Sequence, residues 1–106
     1  MKAALADNAW IAVRDALDSG KPVVAILPCG ATEAHGPHLP LSTDVIISET
    51  MASAALPRLA AGGVTAFVLP PLAYAPAEYA EAFAGTITVS RPAAKALILD
   101  IARSLK

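Results

Sequence analysis

Charged residues are scarce in this 106-residue chain: Lys, Arg, Asp and Glu make up 16% of it, whereas hydrophobic residues make up 56%. So few charges leave little polar surface to solvate an isolated small domain, and we expect part of the surface to be buried against another chain or further sequence. The net charge of -1 and the lack of a basic run argue against nucleic acid or an anionic membrane as partner. Small molecules and other proteins remain as possible partners.

Cysteine and long apolar runs are also nearly absent. Cys29 is the only cysteine, which excludes an intrachain disulfide. The charged Asp7 and Arg14 lie where a signal peptide needs an unbroken apolar core. The longest apolar runs, such as residues 23–27, are far shorter than the roughly 20 residues that span a bilayer. The sequence therefore predicts a cytoplasmic protein without a transmembrane helix.

Hydrophobic patterning predicts alternating strands and helices. Helices are expected over residues 8–17 and 44–56, and Ser90 is expected to cap a last helix that runs to the chain end. Short β-branched runs predict strands covered on both faces over residues 22–27 and 64–69, and a brief strand over residues 86–89. Residues 73–85 are expected to be mostly loop. The predicted apolar stripes of the helices are Trp10, Val13 and Leu17; Ile47, Met51, Ala54 and Ala55; and Leu97, Ile98, Ile101 and Leu105.

Strand, helix and strand in this order predict a βαβ unit with a parallel sheet. Such a sheet normally gains another strand after the last helix, and nothing follows Lys106. We therefore expect the fold to be incomplete at its C-terminal side.

Candidate metal ligands cluster in residues 28–44, which read PCGATEAHGPHLPLSTD. Glu33 and His35 are two apart, so in an extended stretch their side chains project to the same side. A carboxylate and an imidazole suit a divalent cation. Asp44 follows a Gly- and Pro-rich passage that can fold the chain back towards them. The segment also follows a predicted strand, where ligands of open α/β sheets usually bind.

Each of these residues also has a commoner explanation. A loop Glu is usually a solvated charge, and an Asp before an apolar helix is usually a cap. A single loop His is more often structural or exposed than metal-bound. The clustering of His35 and His38 with two acids favours a metal site, but spacing alone leaves both interpretations open.

The run of residues 28–41, followed by Thr43 and Asp44, resembles the P-x-G-S/A-x-E-x-H-G-P-H-L-P-L-x-T-D signature of the creatininase family. The resemblance extends to Trp10 in a leading helix, to the apolar strand before the motif, and to residues 83–87, FAGTI, in which Ala84 replaces the proline of the family's F-P-G-T-I element. It therefore covers nearly the whole chain.

The resemblance implies a three-layer α/β/α fold with a mainly parallel sheet, assembled as a homohexamer, in which residues 1–106 are the N-terminal part of a single domain. It implies an amidohydrolase that cleaves a non-peptide or cyclic amide C–N bond of a small molecule by a metal-activated water. Two zinc or manganese ions would be held about 3.5 Å apart, with Glu33 and His35 on different ions and Asp44 bridging both. Family substrates include creatinine, formamido-pyrimidines and the mycofactocin precursor peptide.

The sequence also departs from the family pattern. The remaining family ligands lie in or beyond an N-G-H motif that this chain does not reach, and Tyr79-Ala80 stands where relatives often carry Glu-His. Cys29 is expected to be a buried thiol rather than a ligand, and His38 to make a structural hydrogen bond in the loop.

These departures support a rival interpretation, in which the chain is a catalytically incomplete remnant that acts as a metal-binding or oligomerisation module. A Rossmann-type cofactor binder is disfavoured, because no G-x-G-x-x-G follows either strand.

Overall fold

The computed structural model of the protein describes residues 1–105. Within these residues, two strands, three α-helices and two short 3₁₀ helices follow one another. They are a 3₁₀ helix (Leu5–Asp7), α1 (Trp10–Leu17), β1 (Val23–Ile26), α2 (Thr43–Ala61), β2 (Thr65–Val68), a second 3₁₀ helix (Glu78–Ala80) and α3 (Arg91–Ser104). The strands β1 and β2 pair in parallel, with Val23 opposite Thr65 and Ile26 opposite Val68. The predicted βαβ unit and the α/β class are confirmed.

The chain divides into two compact units. The first consists of Met1–Pro28 and Ile47–Pro71 and contains the β1–β2 sheet; the second consists of Cys29–Ile46 and Leu72–Lys106. Phe67 and Leu69 are buried in the first unit, and Ala31, Ala77 and Ala80 in the second. All three predicted metal ligands belong to the second unit. That residues 1–106 form the N-terminal part of a single domain stays a prediction.

The helix ends follow from local sequence. Ser90 caps α3 as predicted, since its Oγ accepts a hydrogen bond from the Ala93 amide at 3.3 Å. The helix α2 runs through Pro57 and ends at Ala61, five residues beyond the predicted end. Its end is set by Gly63, which has a φ of 78°. The amide of the next residue, Val64, donates to the carbonyl of Leu59.

The predicted apolar stripe of α2 is wrong. Met51 is 66% exposed and Ile47 is also exposed, whereas the neighbouring Ala52 is only 6% exposed. The buried side of α2 is thus centred on a small side chain, which lets a helix backbone pack closely, and the pattern of large residues did not reveal it.

Large apolar side chains are also exposed on the other elements. Leu97, Ile98 and Leu105 are exposed, and α3 has no buried residue. The strand β1 was expected to be covered on both faces, but Val24 and Ala25, whose side chains point to opposite faces, are both exposed. This exposure agrees with the low charge content of the chain. No helix within residues 1–105 is both long and apolar enough to cross a bilayer.

The brief strand predicted over residues 86–89 is wrong. Ile87 forms an isolated antiparallel bridge with Thr32, and Thr88 forms an isolated parallel bridge with Ala75. Two adjacent residues that pair with different partners in opposite directions cannot extend into a ladder. The preceding residues 73–85 are mostly loop, as expected, apart from the 3₁₀ helix Glu78–Ala80.

Candidate metal centre

Glu33, His35 and Asp44 come together in the second unit. One donor atom from each lies within 4.8 Å of the others. Nδ1 of His35 and Oδ1 of Asp44 are 3.6 Å apart. Two ligands of one zinc ion, each about 2.1 Å from it in tetrahedral geometry, lie about 3.4 Å from one another. The separation of the His35 and Asp44 donors is thus close to that of two ligands of one ion. The three residues are brought together as expected, and their role as ligands stays a prediction.

The loop that carries Glu33 and His35 is fixed by its backbone. The amide of Glu33 donates to the carbonyl of Leu41 at 3.1 Å, and the next amide, that of Ala34, donates to Oγ1 of Thr86 at 2.9 Å. Just before them, the carbonyl of Thr32 accepts from the amide of Ile87 at 3.0 Å. Three consecutive residues are therefore tied to two other segments of the chain.

Asp44 lies in the first turn of α2, where a carboxylate interacts favourably with the helix dipole. Its Oδ2 accepts from the amide of Ala31, outside the helix, at 3.2 Å, and its Oδ1 faces His35. A Cβ on Gly30 would lie 2.8 Å from backbone and Cβ atoms of Asp44. Glycine at position 30 therefore permits the close approach that brings Asp44 to the other two residues.

Tyr79 makes a contact that sequence reasoning did not foresee. Its hydroxyl donates a hydrogen bond to Oε2 of Glu33, which is only 5% exposed. A buried carboxylate needs such a donor, because it has lost hydration. This hydrogen bond raises the pKa of Tyr79 above its usual value, and so do partial desolvation of the phenol and the nearby charges of Glu33 and Asp44.

The position of Tyr79 is set by its neighbours in the 3₁₀ helix Glu78–Ala80. Ala77 and Ala80 on either side are buried, and the amide of Ala77 donates to Oγ1 of Thr88 at 2.8 Å. Tyr79 is 46 residues from Glu33 in sequence, so no local spacing could link them. The one feature of the sequence that pointed to this region was the neighbouring FAGTI element, whose Thr86 holds the loop at Ala34.

A cavity of about 450 Å³ adjoins these residues. It is lined by Ala34, Gly36, Pro37, Leu41, Tyr79, Ala80, Phe83 and Ala84, most of which are apolar. Ala34 and Gly36 alternate with Glu33 and His35 along the loop, and Tyr79 contacts both Glu33 and the cavity. We call Glu33, His35 and Asp44 the triad. Tyr79 therefore both contacts the triad and lines the cavity.

Two expectations for neighbouring residues differ from the structure. Cys29 is exposed rather than buried, and its backbone pairs with Leu72 in a single bridge. His38 is exposed and lies outside the triad, and within residues 1–105 no hydrogen bond of its side chain is seen.

Comparison with known proteins decides the family. A family model described as Creatinine amidohydrolase matches residues 6–106. The chain belongs to the creatininase family. The predicted resemblance is confirmed, and it extends over almost the whole sequence.

Individual members of the creatininase family support this. The chain is 38% identical over 89 residues to the mycofactocin precursor peptide peptidase of Mycolicibacterium smegmatis, a match that covers 83% of this chain and 36% of that protein. The chain thus spans about a third of the length of that relative.

Solved creatininases share the fold of this chain. A structure described as a manganese creatininase superposes with a TM-score of 0.84 at 23% identity, over 99% of this chain and 40% of that one. A Zn–Zn form of a creatininase variant gives a TM-score of 0.84 at 24% identity, over 99% and 40% of the two chains. At this identity the likeness establishes the fold.

Gly30→Ala should destabilise the creatininase fold of this chain by about 1–3 kcal/mol, because the new methyl group must displace the start of α2. Urea unfolding followed by circular dichroism measures this. Gly62→Ala is the matched control, since a Cβ there would meet no atom closer than the carbonyl of Leu59 at 3.5 Å. Equal midpoints for Gly30→Ala and the unaltered protein would show that the close approach does not constrain the fold.

Tyr79 should ionise above pH 10.0. The folded state holds the phenol proton more tightly than the unfolded state. The stabilisation of the folded state by the protonated phenol is therefore complete below the unfolded pKa of about 10, and it is lost as the pH rises through the higher folded pKa. Ultraviolet absorbance of tyrosinate in a Tyr74→Phe background isolates Tyr79, the remaining tyrosine. Adding Glu33→Gln should lower the midpoint, and an unchanged midpoint would contradict the assigned cause.

Proposed function

We propose that this chain supplies part of the metal centre of a hydrolase that cleaves an amide C–N bond, with Glu33, His35 and Asp44 binding zinc or manganese. The observation that carries the proposal is the convergence of these three donors within 4.8 Å in a member of the creatininase family. The residues are separated by up to 11 positions in sequence, and their meeting depends on hydrogen bonds that hold the loop to α2 at Asp44 and to Thr86.

The donor set fits a divalent metal ion. Two carboxylates and one imidazole are typical ligands of zinc and are also acceptable to manganese. Glu33 is buried, whereas the side chains of His35 and Asp44 are 38% and 29% exposed, so the triad is open to solvent on one side. Solved creatininases described as manganese and Zn–Zn forms support the same choice of metals. In the whole protein, Glu33 and His35 would bind different ions and Asp44 would bridge them.

The chemistry needs both the metal and the protein. A divalent ion at such a site polarises a carbonyl group and makes a water molecule more acidic. The residues of this chain supply orientation: the Ala31 amide holds one oxygen of Asp44, leaving the other directed towards His35. The neighbouring apolar cavity is large enough to hold a substrate group beside the triad.

The proposed substrate class is an amide of a small molecule or peptide. A non-peptide or cyclic amide was expected from the sequence, but the mycobacterial relative is described as a precursor peptide peptidase, so peptide bonds belong in the proposal as well. A homo-oligomer, with a hexamer as the family expectation, and a cytoplasmic location also remain proposals.

Metal binding is tested by equilibrium dialysis against Zn²⁺ or Mn²⁺, followed by elemental analysis. The unaltered chain should retain metal, and Glu33→Ala and His35→Ala should each lose most of it, because each removes one of three ligands. Glu49→Ala and His38→Ala are matched controls, since both residues are exposed and lie outside the triad. Equal metal contents in all five proteins would overturn the proposed site.

Hydrolysis is tested on creatinine, N-formyl amides and short peptides with added Mn²⁺ or Zn²⁺, with products identified by mass spectrometry. Turnover that falls more than about 100-fold in His35→Ala would support the hydrolase, because a ligand should matter at least as much as its outer-shell partners. Metal binding without turnover would favour the second candidate, a metal-binding or oligomerisation module. The many exposed apolar side chains of α3 are the observation that favours this alternative.

A further inference from the structure

We propose that Tyr79 is a positioning residue of the metal centre: its hydroxyl holds one oxygen of the Glu33 carboxylate and thereby fixes how Glu33 presents the other oxygen to an ion. The inference rests on the proposed function, because it requires Glu33 to be a ligand. The structural basis is the hydrogen bond that Tyr79 donates to Oε2 of Glu33.

Glu33 needs an orienting partner because of where it lies. At 5% exposure it is removed from most of the water that would otherwise hydrogen-bond to its carboxylate. A free glutamate side chain also has several rotamers, and restricting it to one costs entropy at the moment of metal binding. A donor that occupies Oε2 beforehand removes part of this cost and leaves Oε1 for the ion.

Tyr79 is suited to this role because its contact with Glu33 does not depend on burial of its ring. Tyr79 is 77% exposed, while the buried Ala77 and Ala80 anchor the backbone on both sides. The amide of Ala77 is also held by Oγ1 of Thr88. Removing only the hydroxyl therefore removes the hydrogen bond to Glu33 and leaves the anchors of the 3₁₀ helix in place.

The test is Tyr79→Phe, with Tyr74→Phe as the matched control, since Tyr74 is an exposed tyrosine of the same unit. Zinc affinity is measured by competition with a chromophoric chelator, and ligand geometry by the visible spectrum of bound Co²⁺. Tyr79→Phe should weaken zinc binding by about 10- to 100-fold and alter the Co²⁺ spectrum, as expected for an outer-shell partner of a ligand. Tyr74→Phe should change neither, and the thermal midpoint of metal-free Tyr79→Phe should stay close to that of the unaltered protein.

The outcomes separate this inference from the proposed function. Equal zinc affinity and an identical Co²⁺ spectrum in Tyr79→Phe would overturn the role of Tyr79 and leave the metal site intact. Failure of the unaltered protein to bind zinc would overturn both. If Tyr79→Phe does not fold, the ring protons of Tyr79 are followed by NMR in the Tyr74→Phe protein as Zn²⁺ is added. They should shift with the same affinity as zinc binding, and unshifted signals at saturation would contradict the proposal.

Discussion

The candidate site depends on one close contact, between the loop around Gly30 and the first turn of α2. The amide of Ala31 donates to Asp44 across this contact, and a side chain at position 30 would clash with the backbone there. Without this contact, Asp44 would be an ordinary carboxylate in the first turn of α2. With it, one oxygen of Asp44 is held by the backbone and the other faces His35.

A second set of contacts fixes the other side of the site. Thr86 accepts from the amide of Ala34, Thr32 donates from its hydroxyl to the carbonyl of Ala73 at 2.7 Å, and Tyr79 donates to Glu33. These hydrogen bonds connect residues more than 40 positions apart and replace a regular strand ladder. The segment around the FAGTI element thus positions the loop and the carboxylate of Glu33.

Local patterns predicted the features that are determined locally. The cap at Ser90, the two β-branched strands and the clustering of Glu33 with His35 each follow from residues close in sequence. The buried side of α2 and the contact of Tyr79 could not be predicted in this way, since both depend on which distant segments pack together. Exposed apolar residues such as Met51 also show that an apolar pattern does not tell which side of a helix the rest of the chain covers.

The most direct test of the account is X-ray absorption at the zinc edge of the zinc-loaded protein, compared with His35→Ala. The account predicts nitrogen and oxygen ligands at about 2.0–2.2 Å, and loss of the imidazole scattering in the variant. A sulfur ligand at about 2.3 Å, which only Cys29 or a methionine could provide, or an unchanged imidazole signal in His35→Ala, would contradict it.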